Sequence, residues 1–106
     1  MKNFISTQSW SRSQLQDILD FATSLKENPY QPLLKNKSVA MLFFNPSLRT
    51  KTSFEIGIGE LQGTAVILQP GKDAWPIEFK DNIEMNGDAE EHVKEVAQVL
   101  SSYCDC

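Results

Sequence analysis

The stretch that decides the fold is Val39-Ala40-Met41-Leu42-Phe43-Phe44-Asn45-Pro46-Ser47-Leu48-Arg49-Thr50. Ser38 to Phe44 is an almost unbroken apolar run, the pattern of a strand buried on both faces of a parallel sheet. Thr50 to Leu61 reads as a helix, with Gly63 placed to serve as its C-cap. A strand that turns sharply into a helix N-terminus suits an anion. The first backbone N–H groups have no partner inside the helix, and the helix dipole favours negative charge. Ser47 and Thr50 add hydroxyl donors, and Arg49, one of two arginines in the chain, adds a fork-shaped permanent cation. A plain helix cap with a solvated arginine would use the same residues. The strand-to-helix setting is the argument for a ligand, because ligands gather at the carboxyl ends of parallel strands. The segment is not a Walker loop, since its glycines and Lys-Ser/Thr pair are absent. Nor is it a dinucleotide fingerprint, since Gly57-Ile58-Gly59 falls inside the helix.

Working outward, residues 64 to 68 (Thr-Ala-Val-Ile-Leu) form a second apolar, β-branched strand. Strand, helix and strand in this order predict a right-handed βαβ unit, hence an α/β fold with a parallel sheet. Upstream, residues 13 to 26 read as a helix with Ser13 and Gln16 at capping-box spacing. Leu15, Ile18, Leu19, Ala22 and Leu25 give that helix an apolar face, and Asn28-Pro29 and Gln31-Pro32 end it. Downstream, residues 69 to 87 read as a long polar loop. Asp88 is placed to cap a third helix with Glu91 as its capping-box partner, and Val93, Val96, Ala97 and Leu100 form the inner face. From Tyr103 a third strand is expected to begin. The chain stops there, which predicts a truncated part of a longer α/β protein.

Composition narrows the function. The 106 residues allow one small domain with a limited core. A hydrophobic fraction of 41% and a charged fraction of 23% are ordinary for a globular protein. The net charge of −4 gives no general attraction to nucleic acid or to an anionic membrane, so any anion must be held by a local device. No apolar run is long enough to span a bilayer, and the start lacks the apolar core of a signal peptide. Cys104 and Cys106 are poorly spaced for an ordinary disulfide and too few for a zinc site. A reducing, cytoplasmic setting is the expectation.

Three motifs carry a family resemblance. Phe43 to Glu55, centred on Ser47-Leu48-Arg49-Thr50, resembles the carbamoyl-phosphate signature of the aspartate/ornithine carbamoyltransferase family. The loop Gln69-Pro70-Gly71-Lys72-Asp73-Ala74-Trp75-Pro76-Ile77-Glu78-Phe79 is similar to the branch of that family acting on N-acetylornithine, and Asn86 to His92 continues the match. The resemblance implies the carbamoyl-phosphate-binding domain, in three layers around a parallel sheet, with the amino-acid-binding domain absent. It implies transfer of the carbamoyl group of carbamoyl phosphate to the side-chain amine of N-acetylornithine, in arginine biosynthesis, without metal or organic cofactor. Ser47, Leu48, Arg49 and Thr50 would wrap the phosphate, with Arg49 also stabilising the departing charge. Trp75, which by itself reads as an aromatic pinning a loop, would reach carbamoyl phosphate in a neighbouring subunit of a homotrimer. Glu90, otherwise a first-turn acid complementing a helix dipole, would select the N-acetyl acceptor. The related succinylornithine branch carries proline there.

The remaining residues have plainer readings. Lys51 stands where the family has arginine; it keeps the charge and loses bidentate pairing. Lys72 and Asp73 read as a solvated pair of little energetic weight. His92, the single histidine, reads as structural or solvated. The isolated chain is expected to bind phosphate weakly and not to turn over. Other readings are an ornithine or N-succinylornithine carbamoyltransferase, or a non-enzymatic phosphate-binding module. The Lys72-Asp73-Ala74-Trp75-Pro76 loop argues against the first and Glu90 against the second.

Overall fold

A computed structural model describes residues 3–81 and 91–106 of the chain. Two compact units share them, Met1–Gln31 and Pro32–Cys106.

The first unit holds a short 3-10 turn, Thr7–Ser9, and helix α1, Arg12–Glu27. The helix starts earlier than its periodicity predicts. Ser11 is the N-cap: its hydroxyl accepts the Gln14 N–H at 3.1 Å, and Gln14 Oε1 accepts the Ser11 N–H at 2.9 Å. This capping box replaces the expected Ser13–Gln16 pair, because each satisfies one donor that the helix start leaves open. The helix ends at Asn28, before Pro29, as proline geometry requires. Its apolar face stays largely uncovered, with Ile18 41% and Leu19 61% exposed.

The second unit is built on the predicted βαβ core. Strand β1 is Ser38–Leu42, helix α2 is Arg49–Glu60 and strand β2 is Thr64–Leu68. The strands pair in parallel, Ser38 opposite Thr64 through Leu42 opposite Leu68. One further bond, Phe43 N–H to Leu68 O at 3.0 Å, extends the ladder past the end of β1. The expected strand to Phe44 therefore stops earlier, where the chain turns toward Pro46. The strands are half-buried rather than enclosed on both faces; Met41 of β1 is the most covered, at 8%.

Helix α2 closes with a Schellman arrangement. Leu61 is the C-cap, Gln62 takes the left-handed conformation (φ 67°), and the Gly63 N–H reaches Ile58 O at 2.8 Å. Gly63 is therefore one residue beyond the left-handed position that its sequence pattern suggests. It is needed for space: a Cβ there would lie 2.9 Å from Leu34 Cβ and 3.0 Å from Ile58 Cγ2.

Residues 69–81 are more structured than a polar loop. They carry a bridge between Pro70 and Ala74 and the short strand β3, Ile77–Glu78. Strand β3 pairs in parallel with β4, Glu91–His92, which leads into helix α3, Val93–Tyr103. The N-cap of α3 is His92: its Nδ1 accepts the Lys94 N–H at 3.2 Å, and Glu95 accepts the His92 N–H at 3.3 Å. These two residues take the capping roles expected of Asp88 and Glu91; Asp88 lies outside the described residues. The inner face of α3 centres on Val96, 7% exposed, with Val93 and Leu100 half-buried, whereas Ala97 is exposed.

Tyr103 is helical, not the start of a strand. The next three residues do align with β1. Cys106 N–H reaches Ser38 O at 3.2 Å and Ala40 N–H reaches Cys106 O at 2.7 Å, a parallel pairing pattern on the edge of β1 away from β2. Asp105 fixes this register. Its Oδ2 accepts the Ser38 N–H at 2.8 Å, and its Oδ1 lies 3.7 Å from Lys37 Nζ.

Candidate functional site

Six residues, 43 to 48, join β1 to α2, and they carry the predicted anion site. Leu48 is the N-cap of α2 with φ −97° and ψ −59°, and it makes no side-chain cap bond. A leucine cannot accept the N–H groups that a serine or aspartate would take. Helix geometry then directs the N–H groups of Arg49, Thr50 and Lys51 out of the helix end. The first turn contains no acid, so nothing there opposes a negative ligand. Ser47 is half-buried, Arg49 and Thr50 are exposed, and Leu48 is 75% exposed. Neither ion pair among the described residues, Lys37–Asp105 and Lys94–Asp81, involves Arg49 or Lys51. Ser47, Arg49 and Thr50 are thus gathered at one helix end, and their side chains make no hydrogen bond or ion pair among the described residues. That arrangement favours the ligand reading over the simple cap.

Leu68 at the end of β2 leads into the second candidate element. Gln69 and Asp73 bind each other reciprocally: Gln69 N–H donates to Asp73 Oδ1 at 2.5 Å, and Asp73 N–H donates to Gln69 O at 3.2 Å. Lys72 N–H also reaches Gln69 O, at 2.9 Å. Gly71, at φ +88°, turns the chain so that its N–H reaches Ala74 O at 2.9 Å. Trp75 follows at once and is 64% exposed. It also lines an apolar pocket of about 110 Å³ at the carboxyl ends of the strands, with Leu42, Leu68, Pro70 and Ala74 and with Val96 and Leu100 of α3. The pocket does not include Ser47 to Thr50. Its lining side chains are apolar apart from the Trp75 indole N–H, which makes it chiefly a hydrocarbon seat for the loop.

Lys72 and Asp73 do not form the expected solvated pair; neither is part of an ion pair among the described residues. Asp73 is instead a backbone clamp. An aspartate in a Pro-Gly turn is the sequence signal that could have revealed this, since short carboxylates bind nearby backbone N–H groups.

Two further features were not legible in advance. Phe44 and Phe79 meet edge to face, 5.0 Å between ring centres, tying the segment before Ser47 to the one after Trp75. His92 uses both ring nitrogens, since Nε2 lies 3.0 Å from Lys80 O while Nδ1 caps α3. A carbonyl on one side and an N–H on the other fit the neutral imidazole with its proton on Nε2. Beside it, Lys94 Nζ binds Asp81 at 2.7 Å and holds that carboxyl below its ordinary range. His92 is therefore structural, as its sequence context suggests. Glu90 lies outside the described residues.

The structure is an α/β domain built on a parallel βαβ unit with a basic, hydroxyl-bearing helix end, and comparison with known proteins specifies its family. The family model for the carbamoyl-P binding domain of aspartate/ornithine carbamoyltransferases matches residues 2–106. The chain belongs to the aspartate/ornithine carbamoyltransferase family. It is 55% identical over 105 residues to N-acetylornithine carbamoyltransferase of Xanthomonas campestris pv. campestris, covering 99% of this chain and 31% of that protein. An ornithine carbamoyltransferase of Listeria monocytogenes serotype 4a is 33% identical, over 98% of this chain and 30% of that protein. Among solved structures, an N-acetyl-L-ornithine transcarbamylase with one glutamate replaced by proline, complexed with carbamyl phosphate and N-succinyl-L-norvaline, superposes with a TM-score of 0.94 at 54% identity. It matches 99% of this chain and 32% of that one. The chain thus spans about a third of the length of the relatives it matches.

Proposed function

We propose that the chain forms the carbamoyl-phosphate-binding part of an N-acetylornithine carbamoyltransferase of arginine biosynthesis. The observation that carries this reading is the uncapped N-terminus of α2, where Ser47, Arg49 and Thr50 lie with no acid in the first turn. The identity of 55% to an acetylornithine enzyme, against 33% to an ornithine enzyme, supports the acceptor.

In this reading the phosphate of carbamoyl phosphate sits on the first turn of α2. It takes hydrogen bonds from backbone N–H groups, from the Ser47 and Thr50 hydroxyls and from the Arg49 guanidinium. The side-chain amine of N-acetylornithine attacks the carbamoyl carbon. A C–N bond forms, the bond from that carbon to the phosphate oxygen breaks, the nitrogen loses a proton, and inorganic phosphate leaves. Donors fixed before the reaction stabilise the charge that accumulates on the departing oxygen. Leu48 contributes its backbone and holds the cap position without consuming a donor.

Trp75 is assigned to the carbamoyl-phosphate site of a neighbouring subunit in a homotrimer, a role supported by its 64% exposure on a loop held by its own hydrogen bonds. Glu90 is assigned to recognition of the N-acetyl group. The solved relative that pairs a glutamate replacement with an N-succinyl ligand supports giving acyl choice to a glutamate. A cytoplasmic location is consistent with the free thiols of Cys104 and Cys106.

The test is turnover by the complete enzyme with carbamoyl phosphate and each of three acceptors: N-acetylornithine, N-succinylornithine and ornithine. Preference for N-acetylornithine is the expected result, and preference for either other amine overturns the acceptor. Light scattering of the same preparation tests the trimer, and cell fractionation tests the location.

A further inference from the structure

We propose that Asp73 is the positioning residue for Trp75, its carboxylate closing residues 69 to 73 into a clamp that fixes where the indole leaves the subunit. The proposal rests on the reading of Trp75 given above. It adds a residue that reads, in the sequence, as half of a solvated pair with Lys72.

Leu68 ends β2 opposite Leu42, so Gln69 is the first residue after the ladder and inherits a fixed position from it. Asp73 binds Gln69 twice, through its carboxylate to the N–H at 2.5 Å and through its own N–H to the carbonyl at 3.2 Å. A ring closed by both backbone and side chain cannot open by rotation about one bond. Ala74 is next, paired with Pro70 and bonded to Gly71 N–H, and it rests against the apolar seat. Trp75 is therefore two residues from a clamp anchored on the sheet. Trp75 itself lines that seat and is 64% exposed.

Within this loop the carboxylate is the replaceable part. The backbone bonds of Lys72, Asp73 and Gly71 form a reverse turn that many sequences support. The Gln69 N–H, however, has turned away from the strand ladder and is satisfied by the Asp73 side chain. Without the carboxylate, this N–H turns to water and the loop gains freedom. A contact delivered across a subunit boundary would then be delivered less often in the right place.

The experiment is a double-mutant cycle in the complete enzyme, read as KM for carbamoyl phosphate and kcat, with thermal denaturation as the folding control. Asp73→Ala is expected to lower kcat/KM for carbamoyl phosphate about tenfold, within the ~100-fold that a 1 Å displacement can cost. Asp73→Asn retains an acceptor oxygen and should recover most of the loss. In a Trp75→Ala background, Asp73→Ala should add almost nothing, because residues that act as one unit are not additive. Equal losses from Asp73→Ala in both backgrounds would overturn the proposal, as would normal kinetics of Asp73→Ala when Trp75→Ala is impaired. Unchanged kinetics of Trp75→Ala would instead overturn the reading of Trp75, and the proposal with it.

Discussion

The two loops that leave the carboxyl ends of β1 and β2 start side by side and are built in opposite ways. The loop after β1 ends on a helix whose cap residue, Leu48, makes no side-chain bond, and Arg49 has no ion-pair partner among the described residues. The loop after β2 is closed on itself by the Gln69–Asp73 pair and the bonds around Gly71. The difference matches what the proposed function asks of each. A loop that holds a ligand keeps donors unsatisfied until the ligand arrives. A loop that presents one side chain elsewhere satisfies its own backbone and leaves only that side chain exposed.

The sharpest test of the contrast is Arg49→Ala. Because Arg49 is exposed and unpaired with any acid among the described residues, its loss should leave thermal stability almost unchanged. Kinetics should show the full effect: loss of a charge-assisted hydrogen bond is worth about 1.5–3 kcal/mol. That corresponds to roughly 10- to 100-fold in kcat/KM for carbamoyl phosphate. Arg49→Lys should recover part of it, keeping the charge and losing the fork. A lowered melting temperature with normal phosphate kinetics would show that Arg49 serves the fold, and the contrast between the loops would fail.

Both loops depend on one frame, and Gly63 tests it. A methyl there must displace Leu34 or Ile58, with approaches of 2.9 and 3.0 Å. Gly63→Ala should cost about 1–3 kcal/mol, the usual range for overpacking, read by denaturant unfolding. Once the variant is folded, the two loops should suffer together, because α2 and β2 move together.

Gly71 separates the loops again. Among the described residues, no atom beyond Gly71 and its chain neighbours lies within 4 Å of the position a Cβ would take, so the cost of Gly71→Ala is conformational, set by φ +88°. It should be about 1–2 kcal/mol, the left-handed penalty, and confined to the Trp75 loop. Tryptophan fluorescence and KM for carbamoyl phosphate should change with it. An inorganic phosphate titration of the Arg49 site should not.

How much of this was legible in the sequence depended on the range of the interaction. The β1–α2–β2 core and the helix end that carries the proposed anion site are written in local patterns, a run of apolar residues followed by Asn-Pro-Ser. The helix starts were harder, since Ser11 and Ser13 are both plausible caps and only the reciprocal bond of Gln14 to Ser11 decides between them. His92 replaced Asp88 as a cap by using Nδ1 as an acceptor, which requires the ring to be held from its far side by Lys80 O. That contact depends on the pairing of β3 with β4, which no periodicity in two-residue strands can announce. The role of Asp73 sat between these extremes: an aspartate in a Pro-Gly turn signals a backbone partner locally, but Gln69 is identified as that partner only by its place as the first residue off the ladder.

The smallest effect concerns the end of β1 away from both loops. Asp105 binds the N–H of Ser38, the first residue of β1, while Leu42 at the other end leads to the proposed phosphate site. The Ser38 N–H, and then the nearby Lys37 ammonium, hold the Asp105 carboxyl below its ordinary 3.8. A carboxylate with a lowered folded value stabilises fully above the ordinary value and loses that contribution as pH falls through the lowered one. Acid should therefore release residues 104–106 from β1 first at Asp105. Amide exchange of Asp105 and Cys106 between roughly pH 5 and pH 2 should reveal it. Asp105→Asn should flatten that pH dependence. At neutral pH the same variant should leave KM for carbamoyl phosphate within about twofold, the outcome expected of a surface change remote from the site. A larger rise would mean that the two ends of β1 are coupled, and that the loops owe their geometry to the whole strand rather than to its carboxyl end.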